Sequence, residues 1–282
     1  PNLGNPIQQK SSGDPVFNVT LIELPDQRAA YSVSLSRIVG DSWTYYALID
    51  QLNSLINDKA LEPLTWDEPN VSKEVDHWSD RDKFRSSKLM IPAIVSKMVT
   101  SARRKSQFIE IVDPEVISVL KSASRGDAAF VSTNDVVTAA VYETYRNNLA
   151  MTYCNLRSEG RLPGLQPRIG GNYDRPVLHP RAPAAGNPDF IRNKIIPPPH
   201  VFFGKNEIPF WPMAKCDIGF VNNITSLTKF IVTPNTTVSC HVGHRDLVEI
   251  FPLNVTIIGH ANPTTLICNH NLKPADLKAA AR

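Results

Sequence analysis

The sequence has no run of roughly 18 to 20 consecutive apolar residues, the length a helix needs to span a bilayer, so any membrane association is expected to be peripheral. Cysteine is scarce. Cys154, Cys216, Cys240 and Cys268 stand far apart without a Cys-x-x-Cys pair, which argues against a zinc site and a disulfide framework and leaves them as small buried hydrophobes. Neither sign of charge dominates: 30 basic against 27 acidic residues give a net charge of +3. Nucleic-acid binding needs a concentrated basic face. The short group Arg103, Arg104 and Lys105 reads instead as a solvated loop or strand entrance, so no nucleic-acid partner is expected. Also missing are a Gly-x-Ser-x-Gly nucleophile elbow, a P-loop and a dinucleotide fingerprint. The stretch Arg-Ile-Gly-Gly-Asn-Tyr at 168–173 has its glycines but no helix after it, and so lacks the positive helix end that phosphate loops exploit.

What is present describes a globular chain. Its 282 residues, 42% hydrophobic and 20% charged, suffice for a large core without disulfides. Residues 1–15 are polar and rich in Pro, Gly and Ser, and are expected to form a flexible tail exposed by processing. The compartment stays open, and an organelle reached after removal of a targeting peptide fits that tail. Five Asn-x-Ser/Thr sequons, at Asn18, Asn70, Asn223, Asn235 and Asn254, would suit a secreted protein, but several fall inside apparent strands where a glycan does not fit.

Two alternating β-branched runs, 16–24 and 31–39, flank Pro-Asp-Gln-Arg and predict an antiparallel hairpin. Helical spacing of Tyr46, Leu48, Ile49, Leu52, Leu55 and Ile56 predicts a helix over 42–57, capped by Ser42. Asp41 thus lies where a strand hands over to a helix. A second helix is expected near 88–101. It is followed by a strand at 107–112 and a helix opened by Asp113 and Pro114. A further helix over 134–148, capped by Ser132 or Thr133, precedes a strand at 150–157. Residues 158–215 are proline-rich and without periodicity, the mark of a functional or surface-laid loop. Strand patterns return at 227–234, 236–243, 248–260 and 264–271. Helices mixed with strands and then a β meander predict an α+β protein with a mixed sheet.

Ser36 to Ser42, Ser-Arg-Ile-Val-Gly-Asp-Ser, resemble the His-His-x-x-x-Asp-Gly signature of the CoA-dependent acyltransferases related to chloramphenicol acetyltransferase, including the plant BAHD enzymes. Downstream, 132–143 resembles the family's helix opening, 155–173 its Asn-x-Arg and Gly-Asn elements, and Cys-Asp-Ile-Gly-Phe-Val its Asp-Phe-Gly-Trp-Gly motif, all in the family's order. The resemblance implies a two-lobed α+β fold with mixed sheets and helices, a partial N-terminal lobe and crossover over 16–100, either reduced or truncated, and a C-terminal lobe over 101–282. It also implies that Asp41 orients the motif loop through an ion pair with Arg157. Arg37, Gly171, Asn172, Asp217 and Gly219 would line the tunnel or bind substrate.

The family's second histidine is the general base, suited to neutral pH by the pKa of imidazole. Here Arg37 stands in its place, and a guanidinium does not give up its proton. Ser36 replaces the first histidine and Ser42 the glycine, while Asp41 remains, with Arg37 four positions away as a competitor for it. No catalytic residue is therefore expected at Ser36, Arg37, Asp41 or Ser42. Five histidines elsewhere are read without a base among them: His77 reads as a loop residue, His260 and His270 as turn or strand-end residues. His241 and His244 face opposite sides of a strand, so no metal is expected.

The expectation is a catalytically degenerate acyltransferase-like protein acting as a binding or structural subunit, needing no cofactor, with other protein subunits as partners that cover the sheet edges a reduced lobe exposes. One alternative is an active CoA-dependent acyltransferase that works by holding its substrates together, with acyl-CoA as donor and Arg37 serving an anion or oxyanion. Another is a small-molecule carrier that keeps the tunnel as a pocket.

Overall fold

The computed structural model describes residues 15–66, 107–111, 114–123, 130–144, 148–157, 165–182, 184–195, 218–234, 253–258 and 264–268. Outside them lie the expected helix near 88–101, the strand at 236–243, the Arg103–Lys105 group, Asp217, Cys216, Cys240, and His77, His241, His244, His260 and His270.

Strands β1 (Phe17–Leu24) and β2 (Arg28–Leu35) pair antiparallel as a two-stranded sheet. Asp26 and Gln27 take φ of 61° and 57°, the mirror-image turn geometry that matches strand twist, and Arg28 already belongs to β2. Helix α1 (Ser42–Ile56) follows. Then come β3 (Gln107–Ile111), α2 (Pro114–Ala123), α3 (Thr133–Thr144), β4 (Leu149–Asn155) and β5 (Asp174–Pro180). A short turn, Pro188–Phe190, continues as a π-helical Ile191–Ile195, and β6 (Ile218–Asn223), β7 (Leu253–Ile258) and β8 (Thr264–Cys268) complete the described elements. The larger sheet runs β3-β8-β7-β6-β4-β5, with β4, β6 and β7 mutually parallel and the other pairings antiparallel. The protein is thus α+β with a mixed sheet. No helix among the described residues is long and apolar enough to cross a membrane.

Strand alternation assigns the two sheet faces. Ala150, Val221, Val255 and Ile257 pack under Val137, Ala140 and Val141 of α3, with Ile117 of α2 at the margin. The opposite face carries Ile258, which packs with Tyr46 and Ile49 of α1 and with Ile224. Met151 and Tyr153 on β4 and Phe220 on β6 alternate with the α3-facing residues and belong to this second face, the side of the motif loop.

Three expectations need correction. The cap of α1 is Asp41, not Ser42: Asp41 is extended (φ −89°, ψ −175°) and its carboxylate accepts from the Thr44 amide, which leaves Ser42 as the first helical residue. Residues 227–234 form no strand. Leu227 and Thr228 donate their amides to the Ile224 carbonyl in a tight turn, and Leu227 and Ile231 bury their side chains against α1, so their apolar spacing serves the helix. The 158–215 stretch contains β5, hidden by Pro176 and Pro180; an edge strand tolerates proline because one row of its amides needs no partner. Ser132 rather than Thr133 caps α3, in reciprocal bonds with Asp135: the Asp135 amide donates to Ser132 Oγ, and the Ser132 amide to Asp135 Oδ2 at 2.8 Å.

Candidate functional site

The motif loop hangs between β2 and α1. At its start the Ser36 amide donates to the Val16 carbonyl at 2.7 Å, and the buried Ser36 hydroxyl accepts from the Ile38 amide at 3.4 Å. At its end Gly40 has no room for a side chain, since a Cβ there would sit 2.8 Å from both Leu35 and Thr44. Across the loop, Asn172 donates its amide to the carbonyls of Arg37 (2.9 Å) and Ile38 (3.1 Å).

Asp41 is the centre of a buried polar hub. Its Oδ2 accepts from Arg157 Nη1 and from the Tyr173 amide, both at 2.8 Å, while Oδ1 accepts from the amide (3.0 Å) and lies 3.1 Å from the hydroxyl of Thr44. The side chains of Arg157 and Asp41 are 2% and 0% exposed, so the pair is cut off from solvent screening. Every N–H of Arg157 has an acceptor: Nε on Ile169 O, Nη1 on Asp41 and Asn155, Nη2 on Thr44 Oγ1 and Gly171 O. The guanidinium plane is held between the rings of Trp43 (4.5 Å) and Tyr173 (4.7 Å). Gly171 closes the hub with φ +133°, where a Cβ would lie 2.9 Å from the Tyr173 ring.

Arg37 makes none of these contacts. It does not compete for Asp41, whose oxygens are already taken from inside. Its side chain is exposed, places Nη1 3.5 Å from the Gly40 carbonyl, and lies 5.9 Å over the ring of Tyr153, which meets Phe220 edge to face at 5.2 Å. The fold brings Arg37, Gly171 and Asn172 together. It sends Gly219 elsewhere: that residue shares the parity of Val221 and faces α3, away from the motif loop. Ser42 is a helical residue with no role in the hub.

Sequence reasoning missed Thr44, Trp43 and Tyr173. Thr44 was legible as the third residue after a carboxylate cap, but its reach to Gly171, 127 positions away, was not. It also missed a second buried ion pair, Asp135–Arg192 at 2.8 Å, signalled only by the Ser-x-x-Asp cap. Among the described residues no three His, Cys, Asp or Glu side chains gather to hold a metal.

The fold is similar to that of several solved structures. TRI101 of F. graminearum, in complex with coenzyme A and T-2 mycotoxin, is similar with a TM-score of 0.56 and 13% identity over 94% of this chain and 67% of that one. The same protein with ethyl coenzyme A gives a TM-score of 0.53 and 13% identity over 90% and 64%. The first condensation domain of the CDA synthetase gives 0.49 and 14% over 94% and 66%. The chain spans about two thirds of the length of these proteins, and at such identities the likeness is one of fold. No protein-family model matches the sequence, and no curated protein is significantly similar to it.

Proposed function

We propose that this chain is a catalytically degenerate acyltransferase-like protein that works by binding, as a subunit of a larger assembly, with an N-terminal lobe to about residue 100 and a C-terminal lobe beyond it. One sequence feature carries the reading: by the motif resemblance Arg37 stands where the family has its general base, and a guanidinium cannot accept a proton from an attacking hydroxyl or amine. The hub supports it from the other side. Asp41 and Arg157 use their hydrogen-bonding capacity on each other, on Thr44 and on the 169–173 backbone, so they hold the loop and leave nothing for a substrate. A partner is suggested by the hairpin, where Val19, Leu21 and Tyr31 share the face whose Val33 packs toward α1, yet remain exposed.

The test is release of free thiol from acyl-CoA in the presence of broad alcohol and amine acceptors. Coenzyme A is the carrier to try because TRI101, the structural neighbour, binds it. The expected result is no release above buffer. Turnover that disappears in Arg37→Ala would sink the proposal.

A further inference from the structure

Arg37 stands apart from the other arginines whose side chains are described. Arg28, Arg157, Arg168 and Arg192 each hold a carboxylate, and Arg181 donates to the Tyr142 carbonyl at 2.9 Å. The protein bond nearest to the Arg37 fork is the 3.5 Å approach of Nη1 to Gly40 O, at the outer limit of a hydrogen bond. Among the described residues, most of its N–H groups therefore have no closer acceptor. The loop beneath it is fixed, by Ser36 to Val16, by Asn172 to the carbonyls of residues 37 and 38, and by a glycine at 40 that tolerates no side chain. The cation is presented from a rigid base.

Next to it stands an apolar wall. Tyr153 and Phe220 rise from neighbouring parallel strands on the sheet face opposite α3, ring against ring edge, with the Arg37 guanidinium over Tyr153. A cation ringed by carboxylates would be neutralised. This one, among the described residues, has only π-electrons and a carbonyl near it. We infer that Arg37 and Tyr153 form a binding site for the carboxylate of a small apolar acid, the guanidinium fork taking the two oxygens and the Tyr153 ring, backed by the buried Phe220, taking the hydrocarbon. The planar fork matches a carboxylate bidentately. One positive charge balances one carboxylate and is too little for a polyphosphate.

The inference rests on the reading that Arg37 binds and does not transfer protons, and the two are tested separately. The 282-residue chain is titrated calorimetrically with octanoate, and in parallel with octanol, inorganic phosphate and coenzyme A. Saturable octanoate binding is expected, weaker by at least about tenfold in Arg37→Gln through loss of the charge-assisted bonds. Arg37→Lys should retain part of the affinity, Tyr153→Ala should lose it, and octanol should bind no better to wild type than to Arg37→Gln. Thermal melts verify that the variants fold. No saturable octanoate binding, equal affinity in Arg37→Gln, or tighter binding of octanol, phosphate or coenzyme A than of octanoate would each overturn the assignment. Thiol release on the same samples reports on catalysis alone: turnover with Arg37-dependent octanoate binding removes the degenerate reading and leaves the site, whereas silence in both assays removes the site only.

Discussion

Replacing Arg157 with methionine would remove the cation from the hub and leave Asp41 buried with its charge uncompensated. The two side chains are 2% and 0% exposed and 2.8 Å apart, so water cannot take the place of the guanidinium. Three donors remain on the carboxylate, the amides of Thr44 and Tyr173 and the Thr44 hydroxyl, and they soften the loss without supplying a positive charge. Breaking one side of a buried pair costs about 3–5 kcal/mol. For a protein of ordinary stability, about 5–15 kcal/mol, that is about a fifth of the total or more. Urea unfolding followed by circular dichroism should show the midpoint falling accordingly. Arg157→Lys should recover only a part, because one ammonium cannot reach acceptors on residues 41, 44, 155, 169 and 171 together. Asp41→Asn completes a double-mutant cycle, in which the pair should couple by on the order of 2 kcal/mol. A loss below about 1 kcal/mol for Arg157→Met, or strict additivity in the cycle, would refute the hub as the element that fixes the motif loop.

Thr44→Val keeps the side-chain shape but strips the Gly171 amide and one Arg157 N–H of their acceptor, and should cost about 1–3 kcal/mol in the same unfolding assay, with Thr44→Ser much milder. Gly171→Ala meets both a positive φ of 133° and the Tyr173 ring at 2.9 Å, and should destabilise by about 1–3 kcal/mol, with disturbed near-ultraviolet dichroism of the hub aromatics. Burial pushes the Tyr45 phenol up to about 12 and raises Tyr46 and Tyr142 as well. Since the unfolded chain releases these protons near the ordinary value of 10.0 while the folded chain retains them, their contribution is complete below that pH and is lost as pH rises above it, through about 12 for Tyr45 and higher still for Tyr46 and Tyr142. Spectrophotometric titration should then find tyrosinate from these residues appearing together with unfolding. Arg37→His, on an exposed side chain away from the hub, should leave the urea midpoint unchanged within error.

The elements legible in the sequence were those with a clean period: the hairpin, α1, α2, α3 and β4 all lie within a few residues of where spacing put them. Those that were not legible had their period overridden. β5 is interrupted by Pro176 and Pro180, which its edge position accommodates. Residues 227–234 carry apolar side chains at strand-like spacing because two of them fill the floor under α1. At the site, residue types identified Asp41, Arg157, Gly171 and Asn172 as candidates, but their chemistry depends on backbone carbonyls at 169 and 171 and on rings at 43 and 173. Such contacts leave no pattern in a sequence, because any residue offers a carbonyl and the pairing is set by the fold.

Positions 37 and 41 carry different loads, and this decides how the motif should be read. Asp41 caps α1, receives the Tyr173 amide and neutralises a buried arginine, so its loss would be felt by the fold whether or not any reaction takes place. An aspartate at this place is therefore no sign of chemistry. Residue 37 contributes only its carbonyl to the loop, through Asn172, while its side chain projects outward over Tyr153. The backbone clamp works equally well beneath histidine or arginine, so the side chain at 37 can change without disturbing the hub. What the site can do thus depends on that side chain: an imidazole there would exchange protons near neutral pH, whereas a guanidinium is suited to hold an anion.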